Sequence, residues 1–201
     1  MVLVPLTVVF IPIMIVVAYV IGSLSPAIIV CKLMGLPDPR KEGENNASVT
    51  EVLDVGGKFP AFLTLLGDFL QGAIPVLIGM MLGLSGFFLG LIAIAAMLGH
   101  VFPAFYKFQG GKAVATFFGG LVALNFLVGG AAILTWLIIA AVTRYISLAS
   151  LISAILAVLY TLLFGHYEHL LPIAMMCALI VWRYWGNIQK LRSSTEDKFS
   201  F

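Results

Sequence analysis

Charged residues are scarce in this sequence. Only 10% of its 201 residues are Asp, Glu, Lys or Arg, whereas 62% are hydrophobic, and the mean hydropathy is +1.12. A soluble domain carries about 25% charged residues. The composition therefore excludes an ordinary soluble domain and predicts an all-α integral membrane protein that crosses the bilayer several times.

Cysteine and N-terminal positive charge are also nearly absent. The two cysteines, Cys31 and Cys177, lie in or beside apolar runs, and the sequence has no CxxC motif and no Cys/His cluster. Neither a disulfide framework nor a metal site is therefore expected, and no cofactor or nucleic-acid partner is expected either. No basic residue precedes Lys32. Because a cleavable signal peptide begins with positive charge, the first apolar segment is expected to be a permanent span.

Seven apolar segments can be drawn along the chain, and a helix needs about 20 residues to cross the hydrocarbon core. The fourth and fifth are short, with Gly129-Gly130 as their expected hinge, and they form either a tight hairpin or a re-entrant pair. No separate soluble stretch is present, so residues 1–201 are expected to form one membrane domain. The segments are 3–31, 59–81, 86–105, 114–128, 130–143, 147–164 and 170–185.

The basic residues fix the expected orientation. With the N-terminus outside the cytoplasm, all eleven Lys and Arg residues lie on the inner side or at its edge, and the outer segment 165–169 contains none. Cytoplasmic loops carry an excess of Lys and Arg. The sequence therefore predicts an N-terminus outside, a C-terminus in the cytoplasm, and chemistry that faces the cytoplasm.

A polar loop rich in glycine lies between two of the apolar segments. Residues 99–116 contain Gly110, Gly111 and Lys112, and a helix is expected to start near Val114. Paired glycines let amide groups point at a ligand, while a lysine and a helix N-terminus attract negative charge. This pattern indicates an anion site, phosphate above all; the alternative is a cytoplasmic turn flanked by lysines.

Three further polar features have two interpretations each. The loop 36–58 is dense in Asn, Ser, Thr and Gly, which favours exposed backbone donors or a solvated linker. Asp68 lies inside a span, where an acid marks a functional site or tethers nearby loop backbone. Ser147 and Ser150 share a helix face near its start, so that Ser147 is either a ligand-binding residue or the helix N-cap.

Together these motifs resemble the acyl-phosphate-dependent glycerol-3-phosphate acyltransferases of bacteria, the PlsY family. The resemblance implies a multi-pass protein of the bacterial inner membrane with seven spans, surrounded by membrane lipids. It implies transfer of an acyl group from acyl phosphate to glycerol 3-phosphate, which forms lysophosphatidate in phospholipid biosynthesis. The matching stretches are G-S at 22–23, L-P-D-P-R at 36–40, G-x-x-N at 43–46, G-G-K at 56–58, D-F-L-x-G at 68–72, G-H-V-F-P-A-F at 99–105, F-x-G-G-K-x-V-A-T at 108–116, R-Y-I-S-L-A-S at 144–150 and N-I-Q-K-L at 187–191.

The resemblance also assigns roles to residues. Lys112 and Asn187 occupy retained catalytic positions of the family. The substrate- and phosphate-binding positions that the resemblance implies are Gly43, Asn45, Asn46, Thr50, Gly110, Gly111, Ser147 and Ser150.

Several family positions hold different residues here, and most of these changes make the site more negative, because they add acids or remove cations. The family's phosphate loop reads G-S-G/N-N-x-G-A-T-N and is followed by an Arg. Loop 32–58 contains four basic and five acidic residues, a formal charge of −1. Two unit charges 4 Å apart interact by about 4 kcal/mol at an effective dielectric of about 20, so acids in a phosphate site would repel substrate. The substituted positions are Glu44, Glu51, Asp54 (for Arg), Gln71 and Gln109 (for Lys) and Tyr184 (for His).

These substitutions leave two main hypotheses. The first, which they favour, is a diverged homologue with impaired or lost acyltransfer that binds a lipid or a membrane-protein partner and has a regulatory or scaffold role. The second is an active acyltransferase with an altered phosphate site built from Lys112, Asn45, Asn46, Thr50 and the glycine pair. A small transporter is disfavoured because no inverted repeat is evident.

Overall fold

A computed structural model describes residues 6–41 and 46–199 of the chain. Within these residues the secondary structure is entirely helical, with ten α-helices, three short 3-10 turns and no β-strand. The all-α prediction is confirmed. The helices are α1 (Leu6–Gly22), α2 (Pro26–Leu33), α3 (Val49–Gly56), α4 (Lys58–Met81), α5 (Phe87–Val101), α6 (Val114–Leu124), α7 (Phe126–Thr143), α8 (Ile146–Leu163), α9 (Leu170–Arg183) and α10 (Trp185–Arg192).

Among the described residues, four helical stretches are long and apolar enough to cross a membrane alone: α4, Phe87–Tyr106, α7 and α8. Two further candidates are bent pairs, with a 42° bend between α1 and α2 and a 60° bend between α9 and α10. Six spans result if each pair is one span, and α6 is an additional apolar helix of only 11 residues. Segment 3–31 is thus interrupted. The break lies at Ser25, because Pro26 restricts the preceding residue to extended backbone and starts a new helix.

The hinge between the fourth and fifth segments lies at Asn125, which corrects the expectation of a hinge at Gly129-Gly130. Asn125 has extended backbone (φ −158°, ψ 115°), and its side chain accepts a hydrogen bond of 3.0 Å from the amide of Val128. This N-cap satisfies one of the amide donors that a helix start leaves unpaired. Both glycines therefore lie inside α7, which has 18 residues. Only the fourth segment is short.

Helices α4 and α6 approach each other closely at two glycines. A Cβ atom at Gly72 would lie 1.9 Å from the carbonyl oxygen of Thr116, and one at Gly119 would lie 1.9 Å from that of Phe69. Small residues let helix backbones come together within a membrane. This contact seats α6 against the core, where Phe117 is only 1% exposed, and so fixes the position of the loop that ends at Lys112.

Candidate functional site

A cavity of about 800 Å³ lies where the predicted inner segments meet. Its walls come from α3, α4, α5, α6, α7, α8 and α10, and from the residues after α10. One part is apolar and one part is polar. The sequence-predicted site residues that line it are Thr50, Asp54, Asp68, Lys112, Ser147, Ser150, Tyr184 and Asn187.

The apolar part is a groove between α4 and α7. Phe62 and Leu65 line it from α4, Phe118 from α6, and Trp136 and Leu137 from α7. Phe62 and Leu137 are more than half exposed, so the groove opens toward the side of the bundle. Ligand sites are mostly apolar with a few placed polar groups, and this cavity has that composition. The sequence did not indicate the groove, because apolar residues are expected everywhere in a span.

Lys112 projects into the polar part and lies over an aromatic ring. Its Nζ atom is 5.0 Å from the centre of the Tyr184 ring. A cation within about 6 Å of a ring face is attracted by the ring's quadrupole. The hydroxyl of Tyr184 in turn lies 3.4 Å from Oγ of Ser150. Tyr184 replaces the implied histidine and therefore positions the retained lysine.

Gly110 and Gly111 are packed into the fold, and the amide of Gly111 is used there, which corrects the prediction that this amide points at a ligand. The amide of Gly111 donates to the carbonyl of His100 over 3.3 Å, and Arg183 donates to the carbonyls of Gly111 (3.1 Å) and Gly110 (3.3 Å). Cβ atoms would lie 2.0 Å from the oxygen of His100 at Gly110 and 2.4 Å from its Nε2 at Gly111. Close packing explains both glycines, and neither lines the cavity.

The two serines of α8 have different roles. The helix N-cap is Tyr145, so Ser147 lies inside the first turn and does not cap it. Ser147 is 2% exposed and lines the cavity, and its Oγ atom has no hydrogen-bond partner among the described residues. Oγ of Ser150, by contrast, donates to the carbonyl of Ile146 (2.8 Å) and accepts from Nε1 of Trp136 (3.0 Å). Ser147 is the serine available to a ligand.

Helix α3 presents one of its two acids to the cavity. Ser48 caps the helix by accepting from the amide of Glu51 over 3.4 Å, and Thr50 and Asp54 line the cavity. Glu51 is only 4% exposed and lies outside the cavity lining, as does Asn46, which is 5% exposed. Of the two acids of α3, only Asp54 lies where a ligand in this cavity would meet it. The acid at Glu51 belongs to the buried packing of α3.

Asp68 and Gln71 surround His100 in the interior. Oδ1 of Asp68 is 3.7 Å from Nδ1 of His100, and both residues line the cavity. Gln71 lies outside the lining; its Oε1 is 3.3 Å from Nδ1 of His100, and its amide nitrogen donates to the carbonyls of Ile21 (2.9 Å) and Leu24. Gln71 thus ties the break after α1 to α4. Asp68 is both part of the site and part of this internal network.

The remaining predicted residues lie elsewhere. Gly43, Glu44 and Asn45 fall outside the described residues. Gln109 lines a second cavity of about 350 Å³, together with Asp38, Arg40, Lys41, Phe105, Tyr106 and Lys107.

Asp38 and Arg40 form an ion pair of 2.7 Å in this second cavity. The hydrogen bonds from the Arg40 side chain hold the pKa of the Asp38 carboxyl below its usual value.

Sequence reasoning missed the chain after α10. Glu196, Asp197, Lys198 and Phe199 all line the large cavity. The amide nitrogen of Phe199 donates to the carbonyl of Arg144 over 2.8 Å, which brings this segment against the start of α8. A short polar stretch near a chain end is typical of a solvated terminus, and nothing in its residue pattern indicated the contact.

The model of one protein family covers nearly the whole chain. Residues 12–194 match the family described as glycerol-3-phosphate acyltransferase. The chain belongs to this family. A Coxiella burnetii glycerol-3-phosphate acyltransferase is 48% identical over 184 residues, covering 92% of this chain and 95% of that protein. The Vibrio campbellii glycerol-3-phosphate acyltransferase is 46% identical over 181 residues, covering 90% and 89%.

Solved structures agree with this assignment. The crystal structure of PlsY (YgiH), an integral membrane glycerol 3-phosphate acyltransferase, in its glycerol 3-phosphate form superposes with a TM-score of 0.89 at 34% identity, covering 94% of this chain and 96% of that one. Its lysophosphatidic acid form gives a TM-score of 0.88 at 33% identity, covering 94% and 95%. The protein therefore has the PlsY integral membrane fold, and the suspected family is confirmed.

Proposed function

We propose that this glycerol-3-phosphate acyltransferase family member binds a single-chain phosphate lipid in its large cavity and transfers acyl groups to glycerol 3-phosphate weakly or not at all. The groove between α4 and α7 would take the acyl chain, and Lys112 would take the phosphate. The observation that carries the impaired transfer is Asp54, which lines the same cavity as Lys112 where the family resemblance implies an arginine.

The charges of the cavity support this proposal. Among the described residues, three lysines line it (Lys112, Lys190 and Lys198), and so do four acids (Asp54, Asp68, Glu196 and Asp197), so that the cations of the lining do not outnumber its acids. Acyl phosphate and glycerol 3-phosphate are both anions. A transition state between them needs preorganised donors and cations, and a cavity of this charge stabilises it poorly. The lining is therefore best suited to a ligand with one phosphate group, bound at Lys112.

The experiment is a binding measurement with the two ligands taken separately. Isothermal titration of the purified protein in lipid nanodiscs should show binding of a long-chain acyl phosphate and little binding of glycerol 3-phosphate. The Coxiella burnetii relative, 48% identical, is the matched control for both ligands. Equal glycerol 3-phosphate affinity in the two proteins would contradict the proposal.

A second candidate function is an active glycerol-3-phosphate acyltransferase with an altered phosphate site. The observation that favours it is the gathering of Lys112, Ser147 and Asn187, three positions the family resemblance assigns to the site, in one cavity that continues into an apolar groove. Relatives of 45–48% identity that carry the name glycerol-3-phosphate acyltransferase also favour it. Turnover separates the two candidates, since binding of acyl phosphate is common to both.

We further infer a topology with the N-terminus outside, the C-terminus in the cytoplasm and seven membrane-embedded segments within one domain, residues 1–201, of the bacterial inner membrane. All eleven Lys and Arg residues lie on the inner side of this topology or at its edge. Residues 48–54, 112–115, 146–150 and 184–190 contribute to one cavity, which supports a common side for the inner segments. The larger buried core, which extends from Met14 to Tyr184, supports the single domain.

A further inference from the structure

The chain after α10 folds back across the polar part of the large cavity. The amide of Thr195 donates to the carbonyl of Lys190 over 2.9 Å, which turns the chain. Nζ of Lys198 then lies 5.7 Å from the centre of the Tyr145 ring, and the amide of Phe199 bonds Arg144. These contacts hold the segment Thr195–Phe199 against α8 at the cavity and place the carboxylate of Glu196 inside the lining.

Glu196 contacts the retained residue Asn187 directly. Nδ2 of Asn187 donates to Oε1 of Glu196 over 3.0 Å. Because a carboxylate only accepts hydrogen bonds, this contact decides which end of the Asn187 amide faces Glu196. The other carboxylate oxygen, Oε2, is buried and accepts no hydrogen bond from the described residues. A buried carboxylate oxygen of this kind requires a donor, which a ligand in the cavity can bring.

We propose that Glu196 is a specificity-determining residue that accepts a hydrogen bond from a hydroxyl group of the bound lipid. The ligand class is a single-chain phosphate lipid with a free hydroxyl next to its ester, as in a lysophosphatidate, in preference to a phosphate lipid without one. This inference rests on the proposed lipid-binding function and adds the residue that distinguishes one such lipid from another.

The other groups of the cavity leave the hydroxyl to Glu196. The acyl chain takes the groove, and the phosphate takes Lys112, since a second anion beside Glu196 would be repelled. The buried Oγ of Ser147 lines the same cavity and can donate to or accept from a hydroxyl. A hydrogen bond to a charged acceptor is stronger than a neutral one, so the hydroxyl should be recognised by about tenfold or more in affinity.

The experiment compares two lipids that differ only in this group: 1-oleoyl lysophosphatidate, which has the hydroxyl, and its 2-deoxy analogue, 3-(oleoyloxy)propyl phosphate, which has the same chain, ester and phosphate without it. Their dissociation constants are measured for the wild type, Glu196→Gln and Asp197→Asn in nanodiscs. Asp197 is the matched control, because it lines the same cavity and its change removes the same charge. For each variant the result is the ratio of its two dissociation constants, because a loss of folded protein changes both constants alike and leaves the ratio unchanged.

The wild type should bind the lysophosphatidate about tenfold tighter than its 2-deoxy analogue, Glu196→Gln should reduce this preference to less than about threefold, and Asp197→Asn should keep it. Glu196→Ala provides the same test if Glu196→Gln does not fold. An unchanged preference in the Glu196 variants, or an equal loss of the preference in Asp197→Asn, would overturn this inference and leave the proposed lipid binding intact. Failure of both lipids to bind the wild type would overturn the proposed function and this inference with it.

Discussion

Nζ of Lys112 lies 5.0 Å from the centre of the Tyr184 ring, so a retained residue of the family site rests on a substituted one. The family resemblance implies a histidine at this position. A protonated histidine would repel the lysine, whereas the tyrosine ring attracts it. The tyrosine therefore holds in place Lys112, the cation on which the phosphate proposal depends. It also removes the donor that the implied histidine would offer to substrate.

The first prediction concerns this lysine. Lys112→Ala should weaken binding of acyl phosphate by about 1.5–3 kcal/mol, the worth of a charge-assisted hydrogen bond. Isothermal titration measures the change. Lys107→Ala is the control, because Lys107 lines the second cavity and carries the same charge. Equal effects of the two variants would mean that Lys112 acts only through the general positive charge of the protein.

The second prediction separates the two acids of α3. Asp54→Asn should strengthen binding of glycerol 3-phosphate several-fold, because it removes a negative charge from the cavity wall. Glu51→Gln removes the same charge from a buried position outside the lining and should leave this affinity unchanged. A larger gain in glycerol 3-phosphate affinity from Glu51→Gln than from Asp54→Asn would refute this placement of charge.

The substituted family positions should also act together. Replacing Glu44, Glu51, Asp54, Gln71 and Tyr184 together by the family residues should raise turnover above every single change.

Much of this architecture follows from local properties of the sequence. Low charge and long apolar segments identify a helical membrane protein, and the helix start at Val114 follows from the glycine–lysine loop before it. Lys112 is a candidate from the sequence alone, because a lysine that follows two glycines and precedes a helix start is typical of an anion site. These features depend on residues that are close together in the sequence, so they can be predicted from the sequence alone.

Other features depend on contacts between distant residues, which no local pattern contains. Gln71 occupies a lysine position of the family, and only the structure gives its partners at Ile21 and Leu24, some fifty positions earlier. The glycine pair at 110–111 has the pattern of an anion site, yet the amide of Gly111 donates to His100, and the carbonyls of both glycines accept from Arg183. The hinge at Asn125 depends on one side-chain cap that outweighs a Gly-Gly pair.

A third prediction concerns the contact between α4 and α6. Gly72→Ala places a methyl group 1.9 Å from the carbonyl oxygen of Thr116, so the helices must separate and the melting temperature in detergent should fall by several degrees. Gly130→Ala is the control, since a Cβ atom there meets nothing within 4 Å and alanine is the better helix former. The control should melt at the wild-type temperature or above it. A lower melting temperature for Gly130→Ala than for Gly72→Ala would contradict the described packing.

The fourth prediction tests the proposed topology. In a chain with Cys31 and Cys177 replaced by alanine, Lys41→Cys should react with a membrane-impermeant thiol reagent only after the cytoplasmic side is opened. Tyr167 is exposed and lies between the end of α8 and the start of α9, away from the helix ends that line the large cavity. Tyr167→Cys should therefore react in intact spheroplasts. The reverse pattern of labelling would mean that the orientation is inverted.

The central claim is that the family fold and its lipid cavity persist while transfer to glycerol 3-phosphate has declined. The most direct measurement is the initial rate of lysophosphatidate formation from acyl phosphate and glycerol 3-phosphate by the purified protein, beside the Coxiella burnetii relative at equal concentration. The proposal predicts a rate at least about 100-fold lower, the cost of losing about 2.7 kcal/mol of transition-state stabilisation. A rate equal to that of the relative would contradict the claim and establish the active acyltransferase with an altered phosphate site.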